Sequence, residues 1–534
     1  MLTEEIADAI ELTAKLMELH GENQFKVKAL AAAAFRLSKT HMDLSGKTLE
    51  ELEAMEGVGK SIAGKILELQ ETGTTKELET IKAKTPAGLI DVMDVKGLGP
   101  KKVALLWKEL GIESVGELLY ACNENRLITI KGFGAKTQEE VKKNIEFKSQ
   151  NQNKFHYAFA SQIGNNFIKA ISVKLPGILI SFTGALHRKC EVVDTIDILV
   201  EEEHFEKIND FAVKQPYPFV IHSSPAENFY YNLVVGSSTD AHIQLTGMLD
   251  LPEQEQGSEE EVYDDLQLQY IEPELREGLT EVSLAEKNEI PKLIEFTDLR
   301  GSLHNHSTYS DGVSTLKEMA LECKSLGYEY FGICDHSQTA VYAGGLKPET
   351  ILIQQKEIDK LNSELGPFKI LKGIESDILG DGSLDYTEDI LKTFDFVVAS
   401  IHQGFKMDEE RATNRLIKAI ENPYTKILGH PTGRLLLARP GYPIDHKKVI
   451  DACAANGVAI ELNAHPYRLD VDWRWIPYCI EKNVMVSINP DAHATAGFHD
   501  MYYGTCAARK GMLTKEFCLN SLGLKEIEEW FKKK

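Results

Sequence analysis

The spacing of apolar residues changes twice along the chain. Near the start, in IADAIELTAKLMEL, apolar positions recur at helical spacing. From about 152 to 250, short strand-like runs such as ILISF and TIDILV alternate with helical stretches. From about 296 onward, apolar runs ending in His, Asp or Glu alternate with helical stretches such as STLKEMALECKSLG. This last pattern predicts parallel strands joined by helices, and therefore a β/α barrel.

Composition places the chain among multidomain globular proteins. A chain of 534 residues is too long for one ordinary core. Its apolar runs are too short to cross a bilayer, and the acidic amino terminus lacks a secretion signal. The eight cysteines show no CxxC spacing, so we expect reduced, structural thiols. We expect a cytoplasmic protein with no membrane partner, monomeric in solution.

A glycine-rich unit occurs three times in the first third of the chain. The copies are MEGVGKSIAGKIL at 55–67, VKGLGPKKVALLW at 95–107 and IKGFGAKTQEEVK at 130–142. A Gly-x-Gly turn before a helix lets backbone N–H groups approach a phosphate closely, and each copy adds lysines. The net charge of −23 disfavours extensive nucleic-acid wrapping, so any DNA contact is expected to be local. The alternative is that these are only tight turns between helices. The predicted DNA-backbone ligands are Gly57, Gly59, Lys60, Lys65, Gly97, Gly99, Lys101, Lys102, Gly132, Gly134 and Lys136.

The apolar runs of the last third end in a set of possible metal ligands. A His-x-His pair on a strand presents two imidazoles on one face, so one cation can bind both. A single such residue is ordinarily structural, but a series at successive strand ends predicts a metal centre. The predicted ligands are His304, His306, Asp311, His336, Glu375, His402, His430, Asp491 and His493. Bound ions would activate water for phosphate-ester hydrolysis, with Arg439 and Arg468 as candidates to hold the phosphate or to form surface salt bridges.

The glycine-rich turns resemble helix-hairpin-helix motifs, and GENQFKVKALAAAAFRLS at 21–38 resembles the opening of the small amino-terminal domain of family X DNA polymerases. In that family a lysine after the first hairpin forms a Schiff base with a sugar in DNA repair, and Lys65 lies at the matching place. The resemblance therefore suggests lyase chemistry at Lys65, with simple phosphate binding as the alternative.

Residues 152–250 resemble the family X palm, which holds Mg²⁺ with Asp-x-Asp on one strand and a third Asp on a neighbouring strand. In this chain Gly184 and Ala185 take the place of Gly-Ser, and Thr195 with Asp197 that of Asp-x-Asp. TDAHIQLT, interpreted as the neighbouring strand, offers His242. Only Asp197 remains as a palm carboxylate, so we expect no Mg²⁺ there and little or no polymerase activity.

Residues 296–534 resemble the PHP (polymerase and histidinol phosphatase) domain, with the motifs CDHS, GIESDI, SIHQG, GHP and PDAH. The resemblance implies three divalent ions, Zn²⁺ or Mn²⁺, that share Glu375. It groups the ligands as His304, His306, Glu375 and Asp491, then Glu375, His402 and His430, then Asp311, His336 and His493.

These observations predict a multidomain fold with a helical helix-hairpin-helix region, an α+β palm and a distorted (β/α)7 PHP barrel. The predicted segments are a helical domain with the first hairpin at 1–85, tandem hairpins at 86–150, a degenerate palm at 151–250, an acidic linker or connector at 251–295, and the PHP domain at 296–534. The acidic run at 253–265 is most simply a solvated linker.

The predicted function is a metal-dependent phosphodiesterase that acts on gapped, nicked or 3′-ended DNA without sequence preference. The family resemblance implies that it is a 3′–5′ exonuclease in DNA repair such as base excision repair. The catalytic residues would be His304, His306, Glu375, Asp491, Arg439 and Arg468. Three alternatives stay open: a bifunctional family X polymerase and exonuclease, a small-molecule phosphatase of the histidinol phosphatase kind, and a non-enzymatic DNA-structure binder.

Overall fold

The computed structural model describes residues 3–39, 44, 46–55, 58–95, 97–149, 154–248 and 255–532. The chain divides into two compact units, Met1–Lys148 and Ser149–Lys534. The predicted boundaries at 85/86, 250/251 and 295/296 fall inside these units and stay predictions. Among the described residues, no helix is both long and apolar enough to cross a membrane.

The first unit is helical. Five of its described helices follow a Thr, Ser or Gly residue with extended backbone, and Thr48 with Glu51 forms a capping box. The helices are α1 (Thr3–Leu19), α2 (Gln24–Lys39), α3 (Leu49–Glu53), α4 (Lys60–Thr72), α5 (Lys76–Lys82), α6 (Gly88–Met93), α7 (Pro100–Leu110), α8 (Val115–Asn123) and α9 (Ala135–Ser149).

The second unit begins with a small α+β region. Strand β4 lies between antiparallel β2 and parallel β5, and β1 pairs with β3. Helices α10 and α12 pack apolar side chains such as Phe167 and Ile208 against this sheet. The elements are β1 (Phe155–His156), α10 (Tyr157–Lys174), β2 (Ile180–Phe182), α11 (Gly184–His187), β3 (Val192–Val193), β4 (Ile196–Glu201), α12 (Phe205–Ala212), β5 (Phe219–Ser224), α13 (Phe229–Gly236) and α14 (Asp240–Thr246).

The interpretation of TDAHIQLT as a strand was wrong. Thr239 caps a helix here, because its hydroxyl accepts a hydrogen bond from the backbone N–H of His242. His242 is fully buried and bonds Glu281 and Tyr263, away from Asp197. The parallel neighbour of β4 is β5, which pairs Asp197 with Val220 and places His222 next to the carboxylate.

The described part of the acidic segment, from residue 255, is not a solvated linker as we expected. It contains α15 (Glu259–Asp265) and α16 (Glu281–Ala285), and Val262 and Tyr263 are buried in a local apolar core. The negative charge is tolerated because Glu259 pairs with the fully buried Arg276 at 2.6 Å. Glu259 also contacts His187 of the α+β region at 3.1 Å. We call residues 255–295 the connector.

The predicted barrel is confirmed as a nearly closed sheet of seven parallel strands, in the order β12-β11-β10-β9-β8-β7-β6. A parallel bridge between Asn305 and Ala492 joins the two ends of the sheet. The strands are β6 (Gly301–Ser302), β7 (Tyr330–Ile333), β8 (Lys369–Asp377), β9 (Phe396–Ser400), β10 (Thr425–Leu428), β11 (Ala459–Asn463) and β12 (Val486–Asn489). The helices are α17 (Leu316–Ser325), α18 (Pro348–Leu365), α19 (Glu388–Leu391), α20 (Glu409–Ile420), α21 (His446–Asn456), α22 (Ile476–Glu481), α23 (Met501–Lys510) and α24 (Leu524–Lys532).

Buried charges link the α+β region, the connector and the barrel. Glu274 of the connector is 1% exposed and lies 2.6 Å from Lys189 Nζ and 2.8 Å from Arg509 Nε. Glu277 contacts Arg188 at 3.4 Å and Lys510 at 2.7 Å. The connector therefore neutralises cations from both of its neighbours.

Candidate metal centre

The nine predicted ligands converge at the carboxyl-terminal ends of the barrel strands. Glu375 is part of β8, and the others lie in the segments after β6, β7, β9, β10 and β12. Eight of them are buried, and the most exposed, His402, shows 10% of its side chain. Parallel strands deliver these residues to one place because their carboxyl ends share one rim of the barrel.

Glu375 is the hub of the cluster. Its Oε1 lies 3.3, 3.1 and 3.0 Å from the Nε2 atoms of His304, His402 and His430. Its Oε2 lies 2.9 Å from His336 Nδ1 and 3.7 Å from His306 Nε2. One carboxylate thus has five imidazoles around it, an arrangement suited to bridging cations.

Two aspartates complete the cluster on either side of this hub. Asp491 Oδ1 lies 3.0 Å from His306 Nε2 and 3.7 Å from His304 Nε2. Asp311 Oδ1 lies 3.2 Å from His493 Nε2 and 3.6 Å from His336 Nε2. Among the nine predicted ligands, atoms within 4.8 Å of one another form three groups: His306, Asp311, His336 and His493; His304, His306 and Asp491; and His336, Glu375 and His402.

Several ligand atoms are buried without a hydrogen-bond partner of acceptable geometry among the described residues. They are His304 Nε2, both ring nitrogens of His306, Asp311 Oδ2, His336 Nδ1 and Glu375 Oε2. Unsatisfied buried polar atoms are costly, and a divalent cation would satisfy them together. The mixed nitrogen and oxygen donors fit Zn²⁺ or Mn²⁺.

Additional carboxylates hold the histidines in orientation. His304 Nδ1 bonds Glu461 Oε2 at 2.7 Å, and His402 Nδ1 bonds Asp377. Asn463 donates to Asp491 Oδ2 at 3.1 Å. Such partners fix the ring that faces a metal. These partners were not among the predicted site residues, although Asp377 follows Glu375 by two residues and Glu461 is a charged residue inside an apolar strand.

The electrostatics of the site keep its carboxylates ionised. Burial raises the pKa of Glu375, but His402, His304 and His336 outweigh burial and hold it well below the ordinary value. Burial lowers the pKa of His402, whereas Glu375 and Asp377 raise it to about 10. At His306, burial and the neighbouring His493 and His336 lower the pKa to about 3. The cluster therefore presents the anionic oxygens that a hard or borderline cation needs.

The two candidate arginines occupy different positions. Arg468 is 6% exposed, and its Nε lies 3.9 Å from Asp491 Oδ2, so it reaches the ligand cluster. The Arg439 guanidinium donates to the Gly433 carbonyl at 2.9 Å and lies over the Phe405 ring. Arg468 is thus the better placed of the two beside the ligands.

Comparison with known proteins agrees with this architecture. Family models match residues 1–75 as a helix-hairpin-helix domain, 89–145 as a SAM-like helix-hairpin-helix tandem and 302–465 as a PHP domain. The whole chain aligns with the whole of the DNA polymerase/3'-5' exonuclease PolX of Bacillus subtilis (strain 168), with 34% identity over 576 aligned positions. The chain belongs to the PolX family.

Two further relatives of this PolX family member match only part of the chain. A probable phosphatase of Acetivibrio thermocellus is 33% identical over 168 residues, which are 31% of this chain and 65% of the relative. The probable phosphatase Teth514_1060 of Thermoanaerobacter sp. (strain X514) is 30% identical over 249 residues, 43% of this chain and 94% of the relative.

The hairpin residues of this PolX family member lie in the turns between helices. Gly97 and Gly132 have φ of +93° and +97°, which an L side chain rarely adopts. Gly59 and Gly99 are the N-cap residues of α4 and α7, and no side chain caps these two helix starts. Gly134 directly precedes α9. The side chains of Lys60, Lys101 and Lys136 are exposed beside these turns. Lys102 instead donates a hydrogen bond to the Gly97 carbonyl at 3.1 Å. Gly57 lies outside the described residues.

Lys65, the lysine with possible lyase chemistry, forms an ion pair with Glu77, which also contacts Lys26. Its side chain is 14% exposed. The amine is therefore engaged within the first unit.

In the palm-like region of this PolX family member, Asp197 is held by its neighbours. Thr195 Oγ1 donates to Asp197 Oδ2, and His222 Nε2 lies 2.9 Å from Oδ1. A Cβ on Gly184 would be 3.5 Å from the Asp197 carboxyl carbon. Asp194 instead faces Lys154 at 4.0 Å with 68% of its side chain exposed. Asp197 therefore has no second aspartate beside it among these contacts.

Proposed function

We propose that this PolX family member is a metal-dependent phosphodiesterase that removes nucleotides from the 3′ end of DNA. The observation that supports this best is the convergence of nine ligands around the Glu375 carboxylate at the barrel rim. The 3′–5′ polarity is inferred from the relative named as a DNA polymerase/3'-5' exonuclease.

In this mechanism, Glu375 and its partners would hold up to three Zn²⁺ or Mn²⁺ ions in the groups that the sequence analysis predicts. Bound ions supply Lewis acidity, which lowers the pKa of water and offsets the charge of the phosphodiester. Glu461 and Asp377 keep His304 and His402 aimed at the centre. Arg468, beside Asp491, would bind a phosphate oxygen and orient the scissile bond.

The hairpin turns would deliver the DNA. Their exposed lysines and uncapped helix starts are suited to phosphate groups and provide no reader of base sequence. We propose gapped, nicked or 3′-ended duplexes as substrates, since a nuclease that trims ends needs such a structure.

We further propose that the palm-like region supports little or no DNA synthesis. Two-metal nucleotidyl transfer needs several carboxylates, and here Asp197 has both oxygens engaged by Thr195 and His222. His187 and Arg188, the basic residues that follow Gly184 and Ala185, are paired with the connector residues Glu259 and Glu277 at 3.1 and 3.4 Å.

The experiment uses a gapped duplex labelled at the 5′ end of the upstream strand, with Mn²⁺, and with or without the four deoxynucleoside triphosphates. We expect progressive shortening from the 3′ end, lost in Glu375→Gln and His304→Ala and retained in His499→Ala, which changes an exposed histidine of the same domain. Shortening that persists in Glu375→Gln would refute the assignment. Extension that disappears in Asp197→Ala would show that the palm is active.

A small-molecule phosphatase is the second candidate, because the barrel alone matches proteins named as probable phosphatases. The same preparations are tested on histidinol phosphate. Turnover of this monoester without cleavage of DNA would favour the phosphatase over the exonuclease.

A further inference from the structure

His156 of the palm-like region contacts the two barrel loops that contain the candidate arginines. Strand β1 ends at His156, whose Nε2 lies 3.0 Å from the carbonyl oxygen of Leu436. The ring also packs on Tyr467, with 4.3 Å between centroids. Burial lowers the pKa of His156 to about 4, so the ring is neutral at pH 7. Its Nε2–H donates a hydrogen bond to the Leu436 carbonyl.

Leu436 and Tyr467 belong to two barrel loops that are joined by hydrogen bonds. The N–H of Leu436 donates to the Tyr467 carbonyl at 2.6 Å, and Arg434 Nε donates to the Arg468 carbonyl at 2.9 Å. His156 therefore contacts both loops at the point where they join. We call residues 434–439 and 465–469 the arginine loops, since Arg439 and Arg468 lie in them.

The arginine loops are connected to the ligand cluster by short steps. Tyr467 N–H donates to His465 Nδ1 at 3.2 Å, and His465 N–H donates to Asn463 Oδ1 at 3.1 Å. Asn463 in turn donates to Asp491 Oδ2, the oxygen that lies 3.9 Å from Arg468 Nε. A displacement of Tyr467 would thus change the placement of Arg468 relative to the ligands.

Docking of the palm-like region on the barrel does not depend on His156 alone. Glu274 and Glu277 of the connector pair with Arg509 and Lys510 of α23 on one side and with Lys189 and Arg188 of the palm-like region on the other. Tyr157 also packs against Tyr503 of α23. Removing the imidazole should leave these contacts in place and release only the arginine loops.

We propose that His156 is a positioning residue for the nuclease centre, which acts from the palm-like region by fixing the arginine loops so that Arg468 faces the scissile phosphate. This inference rests on the proposed function. It gives the palm-like region a role in cleavage that requires no carboxylates of its own. Misplacing a charged substrate ligand by about 1 Å can cost on the order of 100-fold in rate.

The test is a double-mutant cycle of His156→Ala and Arg468→Ala in the full chain, with Tyr157→Phe as a control at the same interface. In Mn²⁺-dependent 3′-nucleotide release, we expect His156→Ala to lower kcat by about 10- to 100-fold with bound metal unchanged. His156→Ala should not lower kcat further when Arg468 is already Ala, because both changes remove the same interaction of Arg468 with the phosphate. His156→Gln, whose amide can donate to Leu436, should restore part of the rate, and Tyr157→Phe should retain it.

A second readout does not need turnover. Inorganic phosphate should bind the Mn²⁺-loaded His156→Ala variant more weakly than the unaltered chain. The double variant should bind phosphate no more weakly than Arg468→Ala alone. Independent, multiplicative losses in the cycle, or unaltered kcat and phosphate affinity, would overturn the proposal. An unaltered chain that cleaves no DNA would refute the proposed function instead, and the phosphate measurement would still decide the role of His156.

Discussion

Replacing Glu274 with glutamine tests whether buried charge holds the connector between its neighbours. Burial raises the pKa of this carboxyl, but Lys189 and Arg509 outweigh burial and bring it from 4.5 to about 2. At about 1.4 kcal/mol per pKa unit, the ionised form contributes roughly 3 kcal/mol to stability at pH 7. Removing one partner of a buried ion pair costs about 3–5 kcal/mol, so Glu274→Gln should destabilise the second unit by about 3 kcal/mol.

The sign of the pH dependence follows from the depressed folded-state pKa. The contribution of Glu274 is complete above the unfolded-state pKa and is lost as the pH falls from about 4.5 towards 2. The difference between the variant and the unaltered chain should therefore shrink by about 1 kcal/mol between pH 7 and pH 4.

The assay is urea unfolding in the presence of a chelator, so that metal binding does not contribute. Trp473, Trp475 and Trp530 report the second unit by fluorescence once Trp107 of the first unit is changed to phenylalanine. Glu260→Gln, an equal change of charge on an exposed residue of α15, is the control and should alter stability by less than about 0.5 kcal/mol. A loss in Glu274→Gln no larger than the control, or one that grows towards pH 4, would refute the reasoning.

Two further predictions concern metal and DNA. Glu461→Gln removes the carboxylate that lies 2.7 Å from His304 Nδ1, so the affinity for Mn²⁺ measured by calorimetry should fall about 10- to 100-fold. Glu481→Gln, a change of an exposed residue, should leave the affinity unchanged. Equal affinities in the two variants would contradict the prediction. Changing Lys101 and Lys102 together to alanine should lower the slope of log K against log salt concentration for duplex DNA by about 2 if each lysine contacts a phosphate. Fluorescence anisotropy at several salt concentrations measures this slope, and Lys142→Ala combined with Lys143→Ala is the matched double change on α9. An unaltered slope would exclude Lys101 and Lys102 as DNA ligands.

The barrel and the convergence of its polar residues could be predicted because they depend on local order in the sequence. His304 and His306 belong to a His-x-His pair, and Glu375 and Asp491 lie at the ends of apolar runs that read as strands. The rule that parallel strands share one rim then brings these residues together without further knowledge of the fold.

Features that depend on distant partners could not be predicted in this way. The segment with Glu259 looked solvated because its partners lie outside the acidic run: Arg276 follows it in the connector, and His187 is 72 positions away. His222 was missed because a strand was assigned to TDAHIQLT, whose alternation cannot be distinguished from about two turns of an amphipathic helix over so few residues. The support that Glu461 gives to His304 depends on side chains 157 positions apart.

The bridge between Asn305 and Ala492 bears on how the protein is made. It joins residues nearly 190 positions apart, and the ligands on either side of it come from both ends of the barrel. Contacts so distant in sequence form late, whereas helical hairpins rely on near neighbours and fold fast. During synthesis the hairpin unit can therefore be complete before the barrel closes, and a chain interrupted before residue 491 would retain the hairpins but lack Asp491 and His493, two of the predicted metal ligands.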